Sequence, residues 1–310
     1  MVVGILKDGF KNIYGSLLFV IISFLIFTGC QDQANTPTPN NNFAEYTQVD
    51  FDPAWTLSGE RIVYSHSNPD IELSGIYSID SDGSNNDHII SGLASGPDWS
   101  PDASHIVYEQ YNDIFISNSN GDSIVNLTSG GRSNDPKWSP DNSFIAYSRV
   151  NSLYNSDIYL IRPDGSDNIF IDSNCKYPSW TDDGNSLIYF KQIYENENYT
   201  QIGDSLVQYF LINGQKITIA VLQGEEFKFN SYPNLKDDGI IFCSTNENGY
   251  AYIYKMDTDG ANIIRLTDSQ GFSPDCCMNN NKIAYTNRSK GNGRLWIMNN
   301  DGNNKTQLTY

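Results

Sequence analysis

From about residue 52 onward, the chain is a succession of short apolar runs separated by polar turns. One kind of run ends in an aromatic residue, as in Ile62-Val63-Tyr64, and a second kind alternates apolar with polar residues, as in Ile76-Tyr77-Ser78-Ile79. Runs of this length that are rich in Ile, Val and Tyr and are bounded by turn residues are typical of β-strands. The pattern therefore predicts an all-β protein built from many short strands.

Two turn signals mark a repeating unit. A proline lies two residues before an aromatic or apolar residue at six places, 39 to 55 residues apart: Pro53, Pro97, Pro136, Pro178, Pro233 and Pro274. Six Asp-Gly or Asn-Gly pairs follow in phase: Asp82-Gly83, Asn120-Gly121, Asp164-Gly165, Asn213-Gly214, Asp259-Gly260 and Asp301-Gly302. For these pairs we predict type I′ hairpin turns, with positive φ at both residues. Repeats of about 40–45 residues are typical of propeller blades, so we predict a six-bladed β-propeller of four-stranded antiparallel blades over residues 43–310.

The repeat carries a specific motif. Blades one to four open with Pro-x-Trp, and blades two and three continue with Ser-Pro-Asp, as in the segment from Pro97 to Asp102. Together with the Ile-Ala-Tyr, Asp-Ile-Tyr, Asp-Gly and Leu-Thr sequences that follow, this motif resembles the TolB-like (PD40, WD40-like) β-propeller repeat over residues 52–309. In blades five and six, Leu235 and Cys276 stand in place of the tryptophan. In a ring of stacked blades, we expect each tryptophan to pack between neighbouring blades near the axis.

The first thirty residues resemble an export signal. Lys7 and Lys11 precede an apolar stretch from Tyr14 to Gly29 that contains no charged residue, as in the n- and h-regions of a secretory signal. The stretch ends in Phe-Thr-Gly before Cys30, an ending that resembles a bacterial lipobox. This resemblance implies a lipoprotein signal peptide at residues 1–29. An uncleaved membrane anchor is the alternative, because the stretch is nearly long enough to span the hydrocarbon layer.

The lipobox resemblance also implies an address. It makes Cys30 the site of lipid attachment, and because Gln31 rather than an aspartate follows, it implies anchoring in the bacterial outer membrane, facing the periplasm or the cell surface. Residues 30–42 have no large apolar side chain and two prolines, which predicts a disordered tether. We therefore expect an exported propeller that is held at the membrane by lipid.

The charge balance excludes one class of partner. The sequence has 37 acidic and 19 basic residues and a formal net charge of −18. Nucleic acids bind through clustered Lys and Arg. We therefore predict no nucleic-acid partner.

No catalytic or cofactor motif stands out. The sequence contains no G-x-S-x-G, H-E-x-x-H or P-loop pattern. The segment from Asp80 to Gly83 resembles the start of a calcium loop, but Ser91 stands where an EF-hand needs glutamate. The cysteines after Cys30 have no Cys-x-x-Cys spacing, and no disulfide pairing can be deduced from them. We predict a non-catalytic protein without cofactor or metal.

Two features are candidates for ligand binding. Acidic residues lie next to the opening prolines, namely Asp52, Asp98, Asp135 and Asp275, and because opening strands line the channel of a propeller, they predict an acidic ring that binds a cation or a basic peptide. The alternative is that these aspartates only start the strands and face solvent. Blade four has about eleven additional residues around 193–204, and Tyr194 and Tyr199 there suit recognition or belong to a tolerated long loop.

These observations favour a membrane-anchored, non-catalytic binding scaffold of the bacterial cell envelope. We expect it to be monomeric and to engage an envelope protein or peptide through one propeller face. The alternative is a carbohydrate- or small-molecule-binding protein, or a hydrolase or lyase, that uses the pocket of the central channel. A purely structural surface protein is the third possibility.

Overall fold

The computed structural model describes residues 48–151, 155–195, 201–236, 239–268, 275–279, 281–288 and 292–310. The signal peptide, Cys30 and the tether lie outside the described residues and stay predictions. Within the described ranges, one turn of 3-10 helix, Ile71–Leu73, accompanies the strands. No helix in these ranges has the length and the apolar character needed to cross a membrane.

The first half of the described chain forms three antiparallel four-stranded sheets, each from four consecutive strands. Blade one consists of β1 (Val49–Trp55), β2 (Arg61–Ser67), β3 (Gly75–Asp80) and β4 (Asp87–Ser91). Blade two consists of β5 (Ala94–Trp99), β6 (His105–Gln110), β7 (Asp113–Asn118) and β8 (Val125–Asn126). Blade three consists of β9 (Ser133–Trp138), β10 (Ile145–Val150), β11 (Ser156–Ile161) and β12 (Ile169–Ser173).

The second half repeats this arrangement three more times. Blade four consists of β13 (Cys175–Trp180), β14 (Ser186–Tyr194), β15 (Gln201–Phe210) and β16 (Lys216–Gln223). Blade five consists of β17 (Phe229–Lys236), β18 (Gly239–Thr245), β19 (Ala251–Met256) and β20 (Ile264–Arg265). Blade six consists of β21 (Cys276–Asn279), β22 (Lys282–Asn287), β23 (Arg294–Asn299) and β24 (Thr306–Gln307). The predicted six-bladed, all-β propeller is confirmed.

The ring closes by side-by-side packing of blades one and six. The innermost strands β1 and β21 contact each other, as the innermost strands of the other neighbouring blades do. The backbone N–H of Asp50 donates to the carbonyl of Gly293 over 3.1 Å, and the amide of Asn279 donates to the carbonyl of Thr56 over 2.6 Å. Blade six has its own fourth strand, β24, and in the part of the chain that the structure describes no further strand joins this blade.

The hydrophobic core lies between blades, as expected for a propeller. Trp99 of blade two packs in one cluster with Val63 and Ile76 of blade one, and Trp55 of blade one packs with Leu295 and Ile297 of blade six. These tryptophans are buried. The prediction that they pack between neighbouring blades is confirmed.

The Asp-Gly hairpins are built differently from the predicted type I′ turns. In the turn between β3 and β4, Gly83 has a φ of +88°, but Asp82 has no positive φ. The N–H of Gly83 donates to the carbonyl of Asp80 over 2.9 Å, which makes a type I turn followed by a left-handed glycine. The side chain of Asp82 favours this form, because its carboxylate accepts the backbone N–H of Ser84 over 2.9 Å.

A β-bulge recurs at the opening proline. In blades one to five, the residue before the proline has a φ between +50° and +58°, and the pairing of the first two strands shifts at the same place. Such bulges redirect a side chain relative to its strand. Each blade thereby places one side chain at an equivalent position in the ring.

Blade six departs from the predicted register. The tryptophans pair with the first apolar residue of the second strand, as Trp55 does with Ile62. The equivalent pair in blade six is Met278 with Ile283, because these two side chains are the ones buried in the core between blades five and six. The prediction that Cys276 takes the tryptophan position is therefore wrong.

The register of blade six also changes the position of the repeat that is assigned to Asp275. Cys276 lies opposite Tyr285, where the other blades have the bulge proline, and Pro274 lies outside the described residues. Asp275 therefore occupies the position that Asp52 holds in blade one.

Candidate functional site

A cavity of about 410 Å³ lies on the axis of the ring, because the first strands of all six blades line it. Its wall contains the four repeat tryptophans, each 6 to 9% exposed. The exposed residues Leu57 and Asp182, from the turns between first and second strands, lie at its outer end. The cavity therefore opens on the propeller face that carries these turns.

One repeat position supplies a residue from every blade to this cavity. In blade order these residues are Asp52, Gly96, Asp135, Tyr177, Tyr232 and Asp275. Asp98 also lines the cavity, two residues further along its strand than Gly96. The four aspartates singled out from the sequence thus meet in one cavity, and their ligand stays a prediction.

Asp52 connects four blades. Its carboxylate accepts the hydroxyl of Tyr232 over 3.1 Å and the backbone N–H of Gly96 over 3.1 Å. Its own N–H donates to the carboxylate of Asp275 over 3.2 Å. Hydrogen bonds across the ring therefore fix the geometry of Asp52 and Asp275, as pre-organised binding sites require.

Two tyrosines complete the ring on the side of blades four and five. The rings of Tyr177 and Tyr232 are 4.8 Å apart between centroids and are tilted by 38°. Burial holds the pKa of both hydroxyl groups above the usual value, so they stay protonated and act as hydrogen-bond donors. The ammonium of Lys176 already lies 5.7 Å from the ring of Tyr177, which shows that this aromatic surface accommodates a cation.

The charge on the cavity wall is unbalanced. The lining contains five aspartates but only two lysines, Lys137 and Lys236. Lys236 forms an ion pair with Asp182, while the carboxylate of Asp98 accepts the backbone N–H of Trp138 over 2.8 Å. When the aspartates are ionised, the cavity therefore attracts positively charged groups.

Burial shifts the titration of these carboxyl groups upward. It raises the pKa of Asp135 to about 6 and that of Asp275 to about 7, with the charge of Asp52 adding to both shifts. The pKa values of Asp52 and Asp98 are raised as well, chiefly by burial, although Lys137 opposes the shift in both. Carboxyl groups that are desolvated next to like charges hold protons near neutral pH, and a bound cation would displace those protons.

Sequence reasoning missed Glu109, an acid that interacts with these carboxyl groups although it is not among the residues that line the cavity. It lies on β6 of blade two, and its pKa is raised to about 8 by burial and by the charges of Asp135 and Asp52. The equivalent residues in blades one and three are Ser65 and Ser148. A glutamate at a position where these two blades have serine was the sequence signal that could have identified Glu109.

The tyrosines predicted in blade four lie elsewhere. Tyr194 is half-buried at the end of β14, away from the axial cavity, and its hydroxyl donates to the side chain of Asn155 in blade three. Tyr199 lies outside the described residues. The described part of the additional segment extends the pairing of β14 with β15, as in Ile193 with Gly203.

Among the residues that the structure describes, no group of three or more His, Cys, Asp or Glu side chains is arranged to hold a metal ion. Within the cavity, Asp52 and Asp275 are held by hydrogen bonds from backbone and tyrosine groups.

Comparison with known proteins shows the fold. No protein-family model and no curated protein matches the chain. Among solved structures, TolB from Acinetobacter baumannii is 17% identical with a TM-score of 0.65, over 86% of this chain and 64% of that one. This chain thus spans less than two thirds of that TolB.

Two further solved structures show that the fold occurs in different kinds of protein. A protein from Agrobacterium tumefaciens that is classed with TolB is 22% identical with a TM-score of 0.57, over 70% of this chain and 80% of that one. The tricorn protease is 15% identical with a TM-score of 0.62, over 84% of this chain and 26% of that one. The chain has a TolB-like β-propeller fold, and this fold also occurs within a protease.

Proposed function

We propose that the protein is a membrane-anchored, non-catalytic binding scaffold of the bacterial cell envelope. It engages a protein or peptide partner through the face on which the axial cavity opens. The partner inserts a segment that carries lysine or arginine. The observation that carries this proposal is the meeting of Asp52, Asp98, Asp135 and Asp275 in one solvent-open cavity whose acids outnumber its lysines.

The chemistry of the cavity supports a basic peptide. Its aspartates come from four different blades. Hydrogen bonds between blades hold Asp52, Asp98 and Asp275, so little ordering of these groups is needed when a cation enters. Tyr177 and Tyr232 add an aromatic surface that attracts cations. Side chains of lysine and arginine combine an apolar stem with a charged end, which matches a wall of tryptophan and aspartate.

The fold and the N-terminal sequence support the location. A TolB-like propeller places this chain beside proteins named TolB in fold, and the export signal with Cys30 supports attachment to the envelope by lipid. We propose further that the protein is monomeric.

A second candidate is a small-molecule or carbohydrate ligand. The volume of the cavity, about 410 Å³, falls within the range of small-molecule sites, roughly 300–1,000 Å³. A hydrolase or lyase would use the same cavity, since the tricorn protease contains a propeller of this fold.

The test is affinity capture from the envelope extract of the source organism, with the full chain fixed to beads. We expect a small set of proteins to be retained at moderate salt and released at high salt, because exposed charge interactions are screened. The decisive comparison is with the variant Asp98→Asn/Asp135→Asn/Asp275→Asn, which should lose these proteins.

The chain offers a matched control. Asp82→Asn/Asp164→Asn/Asp301→Asn removes the same number of charges from exposed hairpins, and Asn-Gly already serves as a hairpin pair at Asn120-Gly121. The control should retain the captured proteins. Equal retention by both variants contradicts binding in the cavity, and a folded wild-type chain that retains no protein favours the small-molecule candidate.

A further inference from the structure

Two buried thiols face each other across the junction of blades five and six. Sγ of Cys243 on β18 and Sγ of Cys276 on β21 are 3.0 Å apart. Their exposures are 0% and 4%. The separation is about 1 Å longer than the S–S bond of a disulfide, about 2.05 Å, so a small movement of two side chains would join them.

The position of Cys243 in the repeat directs it at the next blade. It follows the aromatic residue of the second strand, where blade one has Ser65. The hydroxyl of Ser65 accepts the N–H of Gly96 in the first strand of blade two over 3.1 Å. Cys243 makes the equivalent approach to blade six, where Cys276 occupies the position of the bulge proline. Two departures from the repeat thus meet at one junction.

The other described cysteines are not placed for this reaction. Cys175 lies in the core between blades three and four, and its thiol donates to the carbonyl of Ser173 over 3.0 Å. Cys277 lies beside Cys276 in sequence, but it packs against the core between blades six and one, whereas Cys276 lies with Cys243 in the core between blades five and six. They serve as internal controls.

We propose that Cys243 and Cys276 form a disulfide that joins blades five and six. Two S–H bonds break and one S–S bond forms, and the two electrons and two protons pass to the disulfide of a thiol–disulfide oxidant. Its formation in the cell rests on the export that is part of the proposed function, because disulfides persist in oxidising compartments.

The bond would also act on the candidate site. Asp275 precedes Cys276 directly, and its carboxylate accepts the N–H of Asp52. A covalent link at residue 276 therefore fixes one of the acids that line the cavity. Reduction would loosen this junction next to the site, so affinity for a basic peptide is expected to fall.

The experiment uses the full chain, solubilised in mild detergent, unfolded with reductant and refolded in a buffer of oxidised and reduced glutathione. After acid quenching, free thiols are alkylated in denaturant and the protein is mapped by mass spectrometry. We expect Cys175 and Cys277 to be alkylated and the peptides of Cys243 and Cys276 to be joined. The oxidised protein should melt roughly 5–15 °C above the reduced one.

Variants separate the disulfide from a general effect of oxidation. Cys243→Ser should remove the difference in Tm between oxidised and reduced protein, and serine occupies the equivalent position in blade one. The variant Cys175→Ser/Cys277→Ser should keep the difference in Tm between oxidised and reduced protein. A folded, oxidised protein in which Cys243 and Cys276 are both alkylated overturns the proposal, as does a link that includes Cys277.

The location is tested independently on protein taken directly from cells. A joined pair in the membrane fraction supports both the disulfide and the export. A pair that is reduced in cells but joins in glutathione buffer supports the disulfide and contradicts the exported location.

Discussion

The aspartates of the hairpins and the aspartates of the axial cavity belong to the same repeat, yet their environments shift them in opposite directions. In the hairpin of Asp102, hydrogen bonds from Ser100 and Ser104 lower the pKa of the carboxyl group to about 2. In the cavity, burial raises the pKa of Asp135 to about 6 and that of Asp275 to about 7. One residue type therefore serves two purposes, and its burial and its hydrogen-bond partners decide which.

The difference lies in what each carboxylate already binds. Asp102 accepts the hydroxyl groups of Ser100 and Ser104 at 2.6 and 2.7 Å, so its charge is satisfied inside its own turn. Asp135 is buried near the charge of Asp52, so ionisation there is costly until a cation arrives. Acids that are destabilised in this way are candidates for function, whereas acids that cap turns stabilise the fold.

The largest expected effect that tests this comparison is on binding. A lysine-rich peptide of about ten residues should bind roughly tenfold more tightly at pH 8 than at pH 5, because Asp135 and Asp275 lose their protons between these values. Isothermal titration calorimetry in buffers of different ionisation enthalpy should show protons released on binding near pH 6–7.

The variants sharpen this test. Asp135→Asn/Asp275→Asn should bind weakly at both pH values, and Asp82→Asn/Asp164→Asn should follow the wild type. A peptide affinity that stays constant between pH 5 and pH 8 in the wild type contradicts the role given to the cavity.

The fold was largely predictable from the sequence, because turns and strands leave local signals. The six Gly-containing hairpins and the Pro-x-Trp motif fixed the number and the order of strands. The register of blade six was not predictable in the same way. Pro274 suggested one alignment, but burial of Met278 against Ile283 decided another, and burial is a property of the whole ring.

The site was predictable only in part. The sequence shows acids beside the prolines, but Asp52 and Asp135 precede a proline whereas the other two follow one. The sequence alone therefore does not show which of these acids occupy equivalent positions in their blades. Pairing alone showed that Asp275 is equivalent to Asp52. Tyr232 was missed because its hydrogen-bond partner, the carboxylate of Asp52, lies 180 residues away in sequence. No local sequence pattern predicts such a contact.

A smaller effect is expected on thermal stability. Replacing aspartates of the cavity should raise Tm, whereas replacing Asp102 in its turn should lower it. Ordinary carboxyl groups in the unfolded chain titrate near pH 4, whereas Asp135 and Asp275 titrate near 6 and 7 in the folded protein. The folded state therefore binds more protons between these values, and its free energy of unfolding falls as pH rises from about 4 to about 8. Asparagine mimics the protonated acid, so Asp135→Asn/Asp275→Asn should melt roughly 5 °C above the wild type at pH 8.

At pH 4–5 the same variant should melt close to the wild type. Calorimetric scans across the pH range measure both expectations. Some decline should persist in the variant, because Glu109, with a pKa of about 8, still titrates. A variant that is less stable than the wild type at pH 8 would show that the ionised acids stabilise the ring.

The smallest effect is expected in the hairpins. Asp102→Ala removes hydrogen bonds to the backbone N–H and the hydroxyl of Ser104, which should lower the free energy of unfolding by about 1 kcal/mol and Tm by about 2–4 °C at pH 7. Because the folded pKa of Asp102 is lowered to about 2, this contribution is present above pH 4 and disappears as pH falls toward 2. Asp102→Asn keeps an acceptor for Ser104 and should lose less, without the dependence on pH. If Asp102→Ala instead stabilised the protein at pH 7, as the asparagine variants of the cavity should at pH 8, the distinction between the two sets of aspartates would fail.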